Sequence, residues 1–207
     1  MNVHPAHLKI IDTARSMMYQ HGIKRITMDD IARHAGISKK TIYETFDDKN
    51  ELVLALLHDE MSKNQQQINS FVTSSKNAIE EIVATMNYMS NEFGVINPVM
   101  FYDLIKYHHQ AWNEFNNFME ECVNSMIELN LKRGMKEGYY RSDLKIKILS
   151  RLRLLQIEMI INGRSFPVHK YNFIDVHIEL MKHFLFGIAT LKGHKLINKL
   201  LDVNETE

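Results

Sequence analysis

The chain has 207 residues, 45% of them hydrophobic, and its 25 Lys and Arg balance 25 Asp and Glu. That length suits one or two small domains with an adequate core, and the even balance excludes a bulk charge that would by itself select nucleic acid or a membrane surface. A single cysteine, Cys122, excludes an intrachain disulfide, fits a reducing compartment and reads as a small buried hydrophobe.

Three prolines and eight glycines punctuate the chain and no strand-like alternation stands out, so an all-α fold is expected. A first helix is predicted from about Pro5 to Gln20, with Ile10 or Ile11, Ala14 and Met17 or Met18 facing inward and His21-Gly22 ending it. The opening Met1-Asn2-Val3-His4-Pro5 lacks the charged-then-apolar plan of a signal peptide. No stretch approaches the ~20 apolar residues of a membrane span, so a soluble, cytoplasmic protein with no membrane partner is expected.

The stretch from Ile26 to Phe46 carries the densest signals. Thr27 is a good helix cap with Asp30 three residues on as its capping-box partner, and Ile26 and Ile31 are spaced as a hydrophobic staple. Ser38 repeats the cap, with Ile37 and Ile42 as the staple pair. Gly36 stands between them, where a chain leaving a helix commonly needs positive φ. Two short helices, 28–34 and 39–45, around a tight turn form the arrangement that lays a second helix in the DNA major groove. Lys39, Lys40, Thr41, Tyr43 and Thr45 fall on or near the exposed side of that second helix, with Ile42 and Phe46 on its buried edge. Lysines neutralise phosphates or contact guanine, Thr and Tyr hydroxyls reach phosphate oxygens, and a Thr methyl meets a thymine methyl. Residues 1–50 hold eight basic side chains against six acidic, so affinity must come from where the charges sit.

A fourth helix is predicted from Asp48, its cap, with Glu51 as box partner, and it runs past Met61 into the 60s. Lys49 then takes the first helical position, where a lysine and free amides suit a phosphate; Thr27 offers similar geometry at the start of the second helix. Residues 62–77, rich in Ser, Asn, Gln, Lys and Thr, mark a change from head to body. Further helices are expected at about 76–93, 98–109, 111–136, 143–163 and 171–193, with breaks at Asn97-Pro98, Phe166-Pro167 and Gly134 to Gly138 and fraying after about Gly193.

The segment from about Lys9 to Leu57 resembles the N-terminal DNA-binding domain of TetR-family transcriptional regulators. The resemblance runs through Ala14, Gly22, Thr27, Ile31-Ala32, Ala35-Gly36-Ile37-Ser38, Thr41-Ile42-Tyr43, Phe46, Lys49 and Glu51-Leu52. Thr45 stands where that family usually has an aromatic residue. The resemblance implies an N-terminal three-helix helix-turn-helix domain, residues 1–50, followed by a larger helical ligand-binding and dimerisation bundle, residues 51–207, with about nine helices in all. By resemblance, Thr27 and Lys49 clamp the phosphate backbone while residues 38–45, from Ser38 on, read the groove. Such a head pairs with a second copy across a roughly two-fold symmetric operator in double-stranded DNA.

The last two long predicted helices are the candidates for that homodimer. Ile148, Leu152, Leu155, Met159 and Ile160 recur at helical spacing, as do Leu180, Phe184 and Ile188 with Ile178, Met181 and Leu185 beside them, a stripe too wide for one core face. Met86, Met89, Phe93, Phe101, Tyr102, Tyr107, Trp112, Phe115 and Met119 form a Met and aromatic surplus able to line an adaptable apolar cavity for an unknown small-molecule effector, although such stripes also build ordinary cores. The expected protein is a ligand-responsive repressor that needs no cofactor. A regulator with the same head but no small-molecule site, controlled by a protein partner or acting architecturally, stays open.

His108 and His109 are adjacent and point about 100° apart on a helix, and His177 and His183 are six apart, so neither pair suits one metal; His4 and His7 share a face without a completing carboxylate. No metal site is expected. No nucleophile elbow, phosphate-cradling glycine loop or His-Glu-x-x-His motif is present, and no enzyme is expected.

Overall fold

In the computed structural model, which describes residues 6–203, the chain is helical throughout. The elements are α1 (His7–His21), α2 (Met28–His34), α3 (Lys39–Thr45), α4 (Lys49–Ser74), α5 (Ala78–Gly94), α6 (Val99–Tyr107), α7 (His109–Phe118), α8 (Asn124–Lys136), α9 (Ile146–Asn162), α10 (Phe173–Ile188) and α11 (Leu191–Leu201). A π-helical turn at Met119–Val123 joins α7 to α8 without a break. Among the described residues there is no strand, only one isolated antiparallel bridge between Tyr140 and Ala189. Pro5, expected to open the first helix, and His4, expected to share a face with His7, lie outside the described residues.

The helices pack into two compact units whose segments alternate along the chain: Met1–Asn64 with Val95–Asn116, and Gln65–Gly94 with Asn117–Glu207. Packing thus groups α6 and α7 with the N-terminal helices, whereas the sequence suggests a single division between residues 50 and 51. The cause is long-range. The buried Asp103 carboxylate on α6 accepts a hydrogen bond from the Lys24 amide at 2.8 Å, and the Asn97 amide donates to the Tyr19 carbonyl at 2.7 Å.

In the first unit, Ile10, Ile11, Ala14 and Met18 of α1 meet Ile31 and Ala32 of α2, Ile42 of α3 and Leu52, Val53 and Leu56 of α4. Arg15 on α1 pairs with Asp59 and Glu60 on α4 and with Asp12 on its own helix. The three inward positions predicted for the first helix are therefore core, with both Ile10 and Ile11 buried and Met18 rather than Met17 fully so, and that helix ends where Gly22 turns to φ +80°.

The second unit is centred on Ala78, Ile79, Val83 and Met86 of α5, Leu131 of α8 and Met181, Phe184, Leu185 and Ile188 of α10. Arg133 gathers its edge, pairing with Glu81 at 2.7 Å and Glu137 at 2.8 Å and donating to the Val72 and Ser75 carbonyls.

Several predicted boundaries move. The polar run 62–77 is helical as far as Ser74, because Gln and Lys are good helix formers and polarity alone does not break a helix. Gly134 lies inside the last turns of α8, where a Cβ would clash with the Tyr140 ring, so only glycine lets that ring pack. The break predicted over Gly134 to Gly138 falls at the end of that stretch, where α8 stops at Lys136 and Gly138 turns to φ +74°. The helix predicted over 171–193 stops at Ile188, since the chain there pairs with the segment after α8: the Arg141 amide donates to the Ile188 carbonyl at 3.0 Å and the Thr190 amide to the Tyr139 carbonyl at 2.9 Å. Thr190 then caps α11, accepting from the Gly193 amide at 3.2 Å, and residues after Gly193 stay helical to Leu201. Cys122 is half-buried rather than core.

Candidate nucleic-acid interface

Local chemistry builds the helix pair. Thr27 sits in extended backbone; its hydroxyl oxygen accepts from the Asp30 amide at 3.1 Å, while Asp30 Oδ2 accepts from the Thr27 amide at 3.1 Å and from its hydroxyl at 2.6 Å. These bonds to Thr27 hold the Asp30 carboxyl below the usual carboxylate range. Ser38 caps α3 in the same way, accepting from the Thr41 amide at 3.0 Å. Between the caps, Gly36 adopts φ +62° and the Ile37 amide returns to the Ala32 carbonyl at 3.0 Å, which closes the turn. Ile26, Ile31 and Ile42 are buried and Ile37 is half-buried, as both staples require.

This scaffold leaves one face of α3 open. Lys39, Lys40 and Tyr43 are exposed, Tyr43 at 44%, while Thr41 and Thr45 are half-buried. The Thr45 hydroxyl donates to the Thr41 carbonyl at 2.8 Å, so its proton is already used. Two acids that sequence reasoning passed over share the face. Asp29 accepts from Lys39 at 2.8 Å, which raises the Lys39 ammonium above its usual range, and Glu44 lies 3.6 Å from Lys40. Both pairs are solvent-exposed and screened by water, so a phosphate can displace them.

Lys49 opens α4 at the predicted position. Asp48 accepts from the Glu51 amide at 2.9 Å, whereas Glu51 reaches back to the Asp47 amide at 2.5 Å, one residue before the expected partner. Burial pushes the Lys49 ammonium down, with Asp103 acting against that shift. Beside it His108 is buried and bonds Asn50 Oδ1 through Nδ1 at 2.8 Å; burial, then the charge of Lys49, favours its neutral form. Nothing local in the sequence announces this cluster, because Asn50 and His108 lie 58 residues apart along the chain.

The nine residues considered for a ligand cavity divide between the units. In the first, Phe101, Trp112 and Phe115 are half-buried, Trp112 and Phe115 stacking at 5.5 Å, while Tyr102 and Tyr107 are exposed with Lys106 over their rings at 5.2 and 5.4 Å. In the second, Met86 and Met119 are buried and Met89 and Phe93 half-buried. Sequence reasoning missed the buried polar residues of that unit, Arg153 and Gln156 among them. Among the described residues, no group of three His, Cys, Asp or Glu side chains is placed to hold a metal ion.

Comparison with known proteins bears on this geometry. A family model described as "Bacterial regulatory proteins, tetR family" matches residues 10–56, the span of α1 to α4 that carries both caps. Over that span the chain matches the TetR family. It is 26% identical over 149 residues to the HTH-type transcriptional repressor KstR2 of Rhodococcus jostii (strain RHA1), covering 69% of this chain and 72% of that one. The fold is similar to that of the fatty acid degradation regulator FadR from Bacillus halodurans, with a TM-score of 0.68 and 17% identity, over 89% of this chain and 97% of that one. It is also similar to FadR from Bacillus subtilis, solved in complex with stearoyl-CoA, with a TM-score of 0.62 and 15% identity, over 87% and 98% of the two chains. TetR-family members are transcriptional regulators, not enzymes, and bind operator DNA as dimers. Among the described residues, no helix is long and apolar enough to cross a membrane.

Proposed function

We propose that this DNA-binding regulator is a cytoplasmic repressor that grips a palindromic operator as a homodimer and is released by a small apolar or amphipathic effector. Residues 1–50 read DNA in this scheme, and residues 51–207 pair the subunits and sense the effector. The observation that carries the reading is the open face of α3, with Lys39, Lys40 and Tyr43 presented to solvent by two capped helices. Thr27 and Lys49 flank that face as phosphate contacts, and Ser38, Thr41 and Thr45 line its sides. An apolar stripe supports pairing: Ile148, Leu152, Leu155 and Met159 of α9 are all more than one-third exposed. The similarity to a fold that holds stearoyl-CoA supports an effector with an apolar part. Near-complete release requires that the effector favour the non-binding state by about 5.5 kcal/mol.

The test is fluorescence anisotropy with DNA from upstream of the chain's own gene, across a salt series. Binding should be sequence-selective and weaken with salt. Lys40→Ala should reduce the salt slope by about one, and Tyr43→Ala should weaken binding roughly tenfold, with thermal unfolding unchanged because both side chains are exposed. No selective binding at any salt, or unaltered binding by both variants, would overturn the reading.

A further inference from the structure

The inner face of the second unit contains two polar side chains whose bonding is incomplete. Arg153 of α9 and His177 of α10 are each only 3% exposed. The guanidinium donates to Gln156 Oε1 at 3.1 Å and lies 6.0 Å from the centre of the Phe184 ring. Among the described residues, no carboxylate pairs with it and no other acceptor takes its remaining N–H groups. Neither ring nitrogen of His177 makes a hydrogen bond. The ring meets Phe93 edge-on at 5.5 Å, with the Met86 carbonyl and the charge of Arg153 as its polar surroundings.

A cation held in an apolar interior without a counter-charge is expensive, and one acceptor satisfies only one of the five N–H groups of a guanidinium. The planar fork of arginine matches the two oxygens of a carboxylate or phosphate, the strongest hydrogen-bonded pairing open to it. Its neighbours fit the same ligand. With Oε1 engaged by Arg153, the Gln156 amide still has its NH2 to donate, and a neutral imidazole has one N–H. Around them Met86, Phe93 and Phe184 are apolar. A cationic headgroup would meet repulsion here, and a neutral one would leave the guanidinium uncompensated.

We propose that Arg153, Gln156 and His177 form the headgroup end of an effector site for an amphipathic anion, a carboxylate or phosphate joined to an apolar chain. The anion's oxygens accept from the Arg153 fork, the Gln156 amide and the His177 ring N–H, and the apolar chain packs among Met86, Phe93 and Phe184. This assignment rests on the reading of the body as an effector-binding region and names the chemistry of its ligand.

Calorimetric titration of the full chain with dodecanoate, dodecyl phosphate, dodecanol and dodecyltrimethylammonium tests it, without DNA present. At least one anion should bind at least about tenfold more tightly than the alcohol, and the ammonium compound more weakly than either. The ratio of the two anions separates a carboxylate ligand from a phosphate one. Arg153→Met should abolish the preference for anions over dodecanol, and Arg153→Lys, which keeps the charge but loses the fork, should retain part of it. Equal binding of anion and alcohol, no binding of either anion, or an anion preference that survives in Arg153→Met would each overturn the assignment. Anisotropy with operator DNA then distinguishes the two readings: anion binding through Arg153 without DNA release sinks the proposed release mechanism and leaves the anion site standing.

Discussion

His177 illustrates how one side chain ties stability to pH. Burial, then the facing charge of Arg153, lowers its pKa from 6.5 to about 4, against a small opposing effect of the Met86 carbonyl. Between those values the unfolded chain binds a proton at this ring that the folded chain refuses. The stability is therefore fully present above pH 6.5 and is lost as pH falls toward 4. The full span corresponds to about 3 kcal/mol, of which about 2 kcal/mol is gone near pH 5. Urea midpoints measured at about pH 7 and about pH 5 should drop more in the parent chain than in His177→Phe, and equal drops would show that the ring does not couple to folding. At this scale the sequence is only half legible. It marked Tyr43 and Lys40 as outward-facing because a seven-residue helix has few ways to sit on its neighbours. It could not show that Thr45 turns its hydroxyl back on the Thr41 carbonyl, or that Arg153 points into the unit, since both depend on which side of a helix the rest of the chain covers.

At the scale of elements, what was legible is what local bonds decide. The starts of α2 and α3 fall where Thr27 and Ser38 predict, because a cap acts across three residues and needs no partner from elsewhere. The end of α10 was illegible for the opposite reason. Nothing in Ile188-Ala189-Thr190 breaks a helix by propensity; the break exists because residues 139–141 bond to it from about fifty positions away. That corner depends on Tyr140, whose ring packs against Gly134 and whose hydroxyl donates toward the Ala78 carbonyl at 3.2 Å and Asn130 Oδ1 at 3.0 Å. Gly134→Ala should raise helix propensity by about 1 kcal/mol yet still destabilise the protein, because the added methyl forces the ring to move, at a cost of about 1–3 kcal/mol or more. A melting temperature at or above that of the parent would show that the ring can shift freely.

At the scale of the molecule, the sequence revealed two capped helices and an all-α body. It could not reveal that α6 and α7 pack with the head, because Asp103 and Lys24 are 79 residues apart. It displayed the apolar stripe of the ninth helix but not which way that stripe faces. The structure turns Ile148, Leu152, Leu155 and Met159 outward, where a second copy is the proposed cover. Leu152→Glu with Leu155→Lys should halve the mass seen by sedimentation and weaken operator binding at least about tenfold, since one head alone contacts too few base pairs. A variant that keeps the parent's mass would place the subunit contact elsewhere.

The ninth helix is amphipathic in reverse: it keeps a guanidinium indoors and shows oil to the water. On the two proposals made above, an anion answers the first side and a second copy the second. The fold's resistance to heat should accordingly belong to the assembly and not to the chain, climbing with protein concentration and again with any acid it captures, as mass action demands.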